Sequence, residues 1–536
     1  EIQYSVNLLL GNVLPRDPLP MLDINKLLQV PNDLASSALD TFLNKADHKT
    51  GQLEVNNLIK TCRYLDEHVF QPIYKDFTHT AKKQDQIVTH LYKKIFAAIN
   101  DSSRFRGGTL TVYGSNLSNL SLKDSDVDLS LCLPSITEAK RSLSSGKITQ
   151  NNFDRLVTNT VFAMKRLLEK RGFVEVFGVH RARVPVVKGR YHCNQNNGSM
   201  LGSISFDICF QNERAVVNST LLREYSNLDE RVKVVMLVIK MWVRASGIGS
   251  AADGTLSSYS WMNLVVFYLQ CIDFVPNLQC KELLKSHHFS LKKAKHASVD
   301  GLDTVFLTAS MIINAGIWKR GKDLEKLPIT ALLHGFFQFY STTFISTVLA
   351  VSIRIGKPCL LKTVFGKAKL WRLCIEDPFE THDAHTHHDL GMHIEQKGQP
   401  LITTKLQEAA DIMKSALTLA QNDKDLNKAI ETISSLWKKD RSKFSSVNGS
   451  KGAPIDDQQE HQEPDTQEEE EEEVPYEDEH TNRNYKRRGQ NGYYEILKLS
   501  AQHEAQNSFD PKKNERMRKK HNEQEGRGRG RGGQEW

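Results

Sequence analysis

Two aspartates stand two positions apart, Asp126 and Asp128, at the head of a run that otherwise reads as a buried strand, SDVDLSLCL. Positions i and i+2 of a strand face the same side, so the two carboxylates must be accommodated together. Far along the chain a third acid, Asp207, sits in SISFDICF between Phe206 and Ile208. If the two strands are neighbours, three acids converge. Unscreened, they repel one another, and at least one is held protonated well above its usual range. Divalent cations remove that conflict. An Asp-x-Asp pair alone is more often a solvated strand end; the ordered set is far more specific: strand, Gly114-Ser115, about ten residues, SDxDL, then an acid between apolar neighbours.

The pattern around these acids predicts an α+β chain of two lobes. Helical periodicity runs through 53–100, carried by Leu58, Ile59, Cys62, Leu65, Ile87, Leu91 and Ile95. Strands are expected at TLTVYGS, SDVDLSLCL, VEVFGV, RVPVVKG and SISFDICF, with a helix over about 152–171. From about 217 helices dominate, beginning with NSTLLREYSNLDERVKVVMLVIKMWVRASG, and a helical pair over 402–422 and 425–438 closes the folded part. The stretch 335–353 lacks charge but carries Gln338 and several Ser and Thr. It reads as a buried helix followed by a strand, TVLAVSI, and not as a membrane span. The domains expected are an extension over 1–50, a helical segment over 51–83 packing on the central domain, a small mixed-sheet catalytic domain over 84–216, a mainly helical central domain over 217–442, and a disordered tail over 443–536.

Composition sharpens the outer regions. The net charge of +7 is modest, but the six glutamates of 468–473 conceal a more basic remainder. The tail is poor in apolar residues, acidic first, then basic, and ends in GRGRGRGG. Such a tail suits salt-sensitive contact with nucleic-acid phosphates, with Tyr485, Tyr493 and Tyr494 available for stacking, or serves only to solubilise. The extension and the acidic block are candidate docking points for protein partners. Eight cysteines form no CxxC pair and read as free thiols in a reducing compartment. The first residues, EIQYSVNLLL, carry no secretory signal pattern. A cytoplasmic or nuclear setting is expected, with no membrane.

VYGSNLSNLSLKDSDVDLSL followed by SFDICF resembles the polymerase-β-like nucleotidyltransferases, within them the terminal uridylyltransferase and atypical poly(A) polymerase group. The likeness continues in NERAVVNSTLLREYS, GTLSSYSWMNLVVFYLQ and LCIEDPFETHDAHTHHDLGMHI, and covers about residues 55–440. It implies a PAP-associated central domain bearing a nucleobase loop. It implies two divalent ions, Mg²⁺ or Mn²⁺, on Asp126, Asp128 and Asp207, acting with a nucleoside triphosphate on RNA 3′ ends. One departure is Asn119, where the family has Gly; Asn is the next most tolerant residue of a left-handed backbone.

The same resemblance assigns the nucleotide pocket. Gly114 and Ser115 would meet phosphate. Lys240 and Arg244, four apart on one helix face, would reach the triphosphate. Ser258 would add a phosphate contact and Tyr259 would stack on the base. Asn218 would bind the ribose 2′-OH, with Asn212 a weaker candidate on the same loop. Asp377 and Glu380 match the acidic positions of the DPFE loop. His388, in His388-Asp389-Leu390-Gly391, matches the histidine of the uridylyltransferases and can donate to uracil O4, which makes UTP the expected substrate; His382 is the second choice. Alternatives are an ATP-using poly(A) polymerase of the same group, an inactive RNA-binding scaffold, and, for the histidine cluster, a zinc site.

Overall fold

The computed structural model describes residues 50–437 apart from 183, 195–199, 287–297, 300, 321, 358–359, 366–368 and 382–387. The extension, the tail and the second-choice His382 therefore lie outside the described residues.

The chain is mixed α/β and has two large cores. It enters on α1 (Thr50–Leu65), passes through a wide helical turn at Asp66–Phe70 and continues without a break into α2 (Gln71–Asp101). Pro72 lies in the first turn of α2. A proline ring clashes with the carbonyl four residues back, and the widened turn just before it relieves that clash. Cys62, Leu65, Val69 and Phe70 join the helical core, whereas Ile87, Val88, Leu91 and Ile95 join the core under the sheet. One helical rod thus belongs to both.

Next come β1 (Thr109–Tyr113), a single helical turn α3 (Gly114–Leu117), β2 (Val127–Cys132), α4 (Pro134–Ser144), α5 (Gln150–Lys170), β3 (Val174–Val179), β4 (Val186–Asn194) and β5 (Met200–Phe210). The five strands form one mixed sheet in the order β1-β2-β5-β4-β3. Only the β2–β5 pairing is parallel. One face carries Leu129, Val187, Ile204, Phe206 and Ile208 into the core beneath α2 and α5; the other stays open. The sequence pattern did not foretell α4, because its polar residues leave Ile136 as its one buried side chain.

The helical lobe contains α6 (Glu213–Ser226), α7 (Glu230–Ala245), α8 (Ser258–Cys271), α9 (Ile329–Gln338), α10 (Gly398–Leu419) and α11 (Leu426–Ser434). The long helical run expected from 217 breaks at 227–229, where Asp229 accepts a hydrogen bond from the Arg231 N–H and caps α7. The uncharged stretch does hold a buried helix, α9, but the strand after it shrinks to Leu349–Ala350 paired with Leu360–Leu361. Among the described residues no helix is long and apolar enough to cross a membrane. Among the described cysteines, Cys62, Cys193, Cys209 and Cys374 are buried free thiols.

Candidate active site

The sheet brings the distant acid home. Asp128 of β2 pairs in register with Asp207 of β5, and Asp126 lies just before β2. Directly paired residues project from the same face of a sheet, here the open one. Their crowding is visible in Asp128, whose carboxyl is pushed up to about 7, first by burial and then by Asp207 and Asp126. Lys188, on β4 directly across from Asp207, sets its ammonium against that carboxylate. The sequence reading missed Lys188. A cation inside the apolar run VPVVKG, one strand from an acid, was the available signal.

Gly114 follows β1 with φ +66, a left-handed backbone that favours glycine. A Cβ here would come within 2.1 Å of Asp128 Oδ2. Its N–H donates to Ser219 Oγ at 2.8 Å, tying α3 to α6. Asn119 adopts φ +59, so it takes up the left-handed conformation that its place in the loop calls for.

A cavity of about 750 Å³ opens beside these residues. Its wall includes Gly114, Ser115, Asp126, Asp128, Asn218, Lys240, Arg244, Ser258 and Tyr259. Lys240 donates to the Leu120 carbonyl at 2.8 Å and Arg244 to the Lys123 carbonyl at 2.9 Å, so both brace the loop that delivers Asp126. Burial draws the Lys240 ammonium down to about 8, against the pull of Asp128. Asn218 donates to Asp377 Oδ2 at 3.4 Å, leaving its own Oδ1 buried without a partner. Buried polar atoms are ordinarily paired, and this one stands in the cavity wall.

The remaining candidates lie outside that wall. Asn212 precedes α6; its N–H donates to Ser130 Oγ and its amide to the Tyr113 hydroxyl, so it anchors strand ends. Asp377 is buried and accepts from the N–H groups of Phe379 and Glu380 as well as from Asn218. It organises the loop from within, because an acid in such a turn satisfies its own backbone first. Glu380 forms an ion pair with Arg214 of α6 at 3.0 Å, a partner the sequence reading did not find. His388 receives the Asp377 N–H on its carbonyl at 2.9 Å and donates its own N–H to Glu380, fastening the histidine segment to the DPFE loop.

The donor set suits hard divalent cations: oxygen ligands on one sheet face, one carboxyl crowded toward neutrality, and a lysine already supplying positive charge to Asp207. Among the described residues no three acidic, imidazole or thiol side chains, the three aspartates included, stand together closely enough as placed to hold a metal ion. The same finding gives no support to zinc; His385 and His387 lie outside the described residues.

The fold and this constellation resemble those of the polymerase-β-like nucleotidyltransferases. A model of the central palm domain of mitochondrial-like poly(A) RNA polymerase matches residues 68–227, and the Cid1 family poly A polymerase model matches 328–383. Over 327 residues the chain is 29% identical to terminal uridylyltransferase cid1 of Schizosaccharomyces pombe, covering 57% of this chain and 69% of that protein. Human terminal uridylyltransferase 7 is 28% identical over 63% of this chain and 20% of its own length. The poly(A) RNA polymerase GLD2 of Danio rerio is 27% identical over 50% of this chain and 47% of its own. The chain thus spans less than half the length of the latter two. The solved structure of a cytoplasmic RNA terminal U-transferase superposes with a TM-score of 0.51 at 25% identity, covering 71% of this chain and 97% of that one. The chain is thus similar, over its described lobes, to the terminal uridylyltransferases and to the Cid1- and GLD2-type poly(A) polymerases.

Proposed function

We propose that the chain adds nucleotides to RNA 3′ ends without a template, transferring UMP from UTP and releasing pyrophosphate. The observation that carries this reading is the register pairing of Asp128 with Asp207 beside a cavity walled by Lys240, Asn218 and Tyr259. Asp126, Asp128 and Asp207 would hold two divalent ions, Mg²⁺ or Mn²⁺, which when bound lower the pKa of an attacking hydroxyl and neutralise the leaving pyrophosphate. Lys240 and Arg244 bring positive charge to the triphosphate, with Gly114, Ser115 and Ser258 beside it. The unpaired Asn218 oxygen is matched to a ribose hydroxyl donor. The Tyr259 ring offers a face to the base.

The choice of UTP rests on His388, which can donate to uracil O4 where adenine presents an amino donor. Incubating single-stranded RNA with each nucleotide in turn, with Mg²⁺ or Mn²⁺, is expected to yield uridine tails. A clear preference for ATP would make the chain a poly(A) polymerase, a reading favoured by the comparable similarity to GLD2. RNA binding without extension by any nucleotide would leave only a scaffold. His388→Ala is expected to lower the UTP-to-ATP ratio of kcat/KM by about tenfold, the scale of one lost hydrogen bond to the base. An unchanged ratio would pass the assignment to another histidine.

The raised carboxyl of Asp128 sets a pH dependence. Between the ordinary aspartate value and about 7, the folded chain keeps a proton that the unfolded chain has released. Stability therefore falls as pH rises through that window. In chelator, the melting temperature of the native chain relative to Asp128→Asn is expected to drop progressively from pH 5 to pH 8. Excess Mg²⁺ should restore it. A flat difference would mean the acids are not crowded.

A further inference from the structure

The three acids do not share one approach. Asp126 and Asp128 face the cavity with Lys240 and Tyr259, whereas Asp207 is outside its wall and meets Lys188 on β4. The sheet register prolongs this second direction. Tyr113, Asp128, Asp207, Lys188 and Phe177 are successive partners across β1, β2, β5, β4 and β3, and so form one row. At about 4.8 Å per strand, Phe177 stands roughly 10 Å from Asp207.

Phe177 is 51% exposed on an edge strand, with Val174 and Val179 also exposed beside it. A single exposed phenylalanine is ordinary. This one ends a row that starts at the carboxylates, with a half-exposed lysine between. A bulge separates Val174 from Phe177, with Glu175 at φ +52 and ion-paired to Arg190. Bulges of this kind re-aim side chains. Arg181, exposed at the turn into β4, adds positive charge to the same edge.

We infer that the β3–β4 edge seats the acceptor strand: Phe177 stacks one of the last two bases of the RNA, and Lys188 meets the phosphate between that base and the reacting 3′ end. The nucleotide then enters by the cavity on the β1–β2 side and the acceptor by the β4–β3 side, meeting at the row of acids. An aromatic face and a cation suit single-stranded acceptors with little regard to sequence. This inference rests on the proposed function.

The test is steady-state kinetics of the full chain with a short single-stranded RNA and UTP. Phe177→Ala is expected to raise the KM for RNA about tenfold, within the range of one lost base stack, while the KM for UTP and kcat at saturating RNA hold. Phe177→Trp should restore the native KM. An acceptor lacking its last two bases should bind native and Phe177→Ala chains equally weakly. An unchanged KM for RNA in Phe177→Ala, or no rescue by Trp at an unaltered melting temperature, would overturn the inference while the native chain still extends RNA. No extension by the native chain with any nucleotide would instead defeat the function on which it rests.

Discussion

Asp128→Asn is expected to cut nucleotide addition by at least about a thousandfold while raising the melting temperature of the metal-free chain. Asparagine keeps the shape of the side chain but removes one of three crowded charges. Its carboxyl is pushed up to about 7 by burial and by Asp207 and Asp126, so the neutral amide relieves a strain that the native chain bears above neutrality. Divalent ions stabilise a transition state by several kcal/mol, and each 1.36 kcal/mol is tenfold in rate. Steady-state tailing assays, scanning calorimetry in chelator and fluorescence anisotropy with labelled RNA separate the three effects. Retained RNA binding with lost tailing supports the metal assignment. Tailing within tenfold of native would remove it.

Gly114→Ala is expected to lower kcat about a hundredfold and to destabilise the fold. The added Cβ would meet Asp128 Oδ2 at 2.1 Å, so that carboxylate must move. A displacement of about 1 Å at reacting groups can cost about a hundredfold. Alanine at φ +66 adds about 1–2 kcal/mol of backbone strain. The two contributions separate in a double-mutant cycle. In an Asp128→Ala background the clash with the carboxylate is gone and only a tight 3.2 Å approach to the Cβ remains, so the stability loss from Gly114→Ala should shrink toward the backbone part. A loss of equal size in both backgrounds would show that the carboxylate had never been in the way.

Much of this was legible in the chain because sheets translate period-two patterns into faces. Alternation in SDVDLSLCL and SISFDICF placed the acids, and the parallel β2–β5 pairing supplied what pattern could not, their mutual register. The left-handed place of Asn119 was readable from the tolerance of Asn. Other features needed three dimensions. Lys188 is one of two cations in β4, with Arg190, and only its pairing across from Asp207 sets it apart. Asp377 and Glu380 carry the motif's acidity, yet one is tied down by Asn218 and loop N–H groups and the other by Arg214. Sequence gives the kind of side chain; it does not say whether backbone, neighbour or ligand claims it. The break at 227–229 was equally hidden, since NLDE continues a helical rhythm until Asp229 turns to cap the next helix.

The rod formed by α1, the wide turn and α2 lends residues to both hydrophobic cores, near Cys62 to Phe70 at one end and Ile87 to Ile99 at the other. The halves are therefore not two beads on a string. To admit a substrate or shed a product, the mouth between them can gape only by flexing this shared axle or by slippage of a packed core along it. Any such motion would be a stiff, coordinated rocking, bending the axle most easily between Phe77 and Ile87, where it passes from one core to the other.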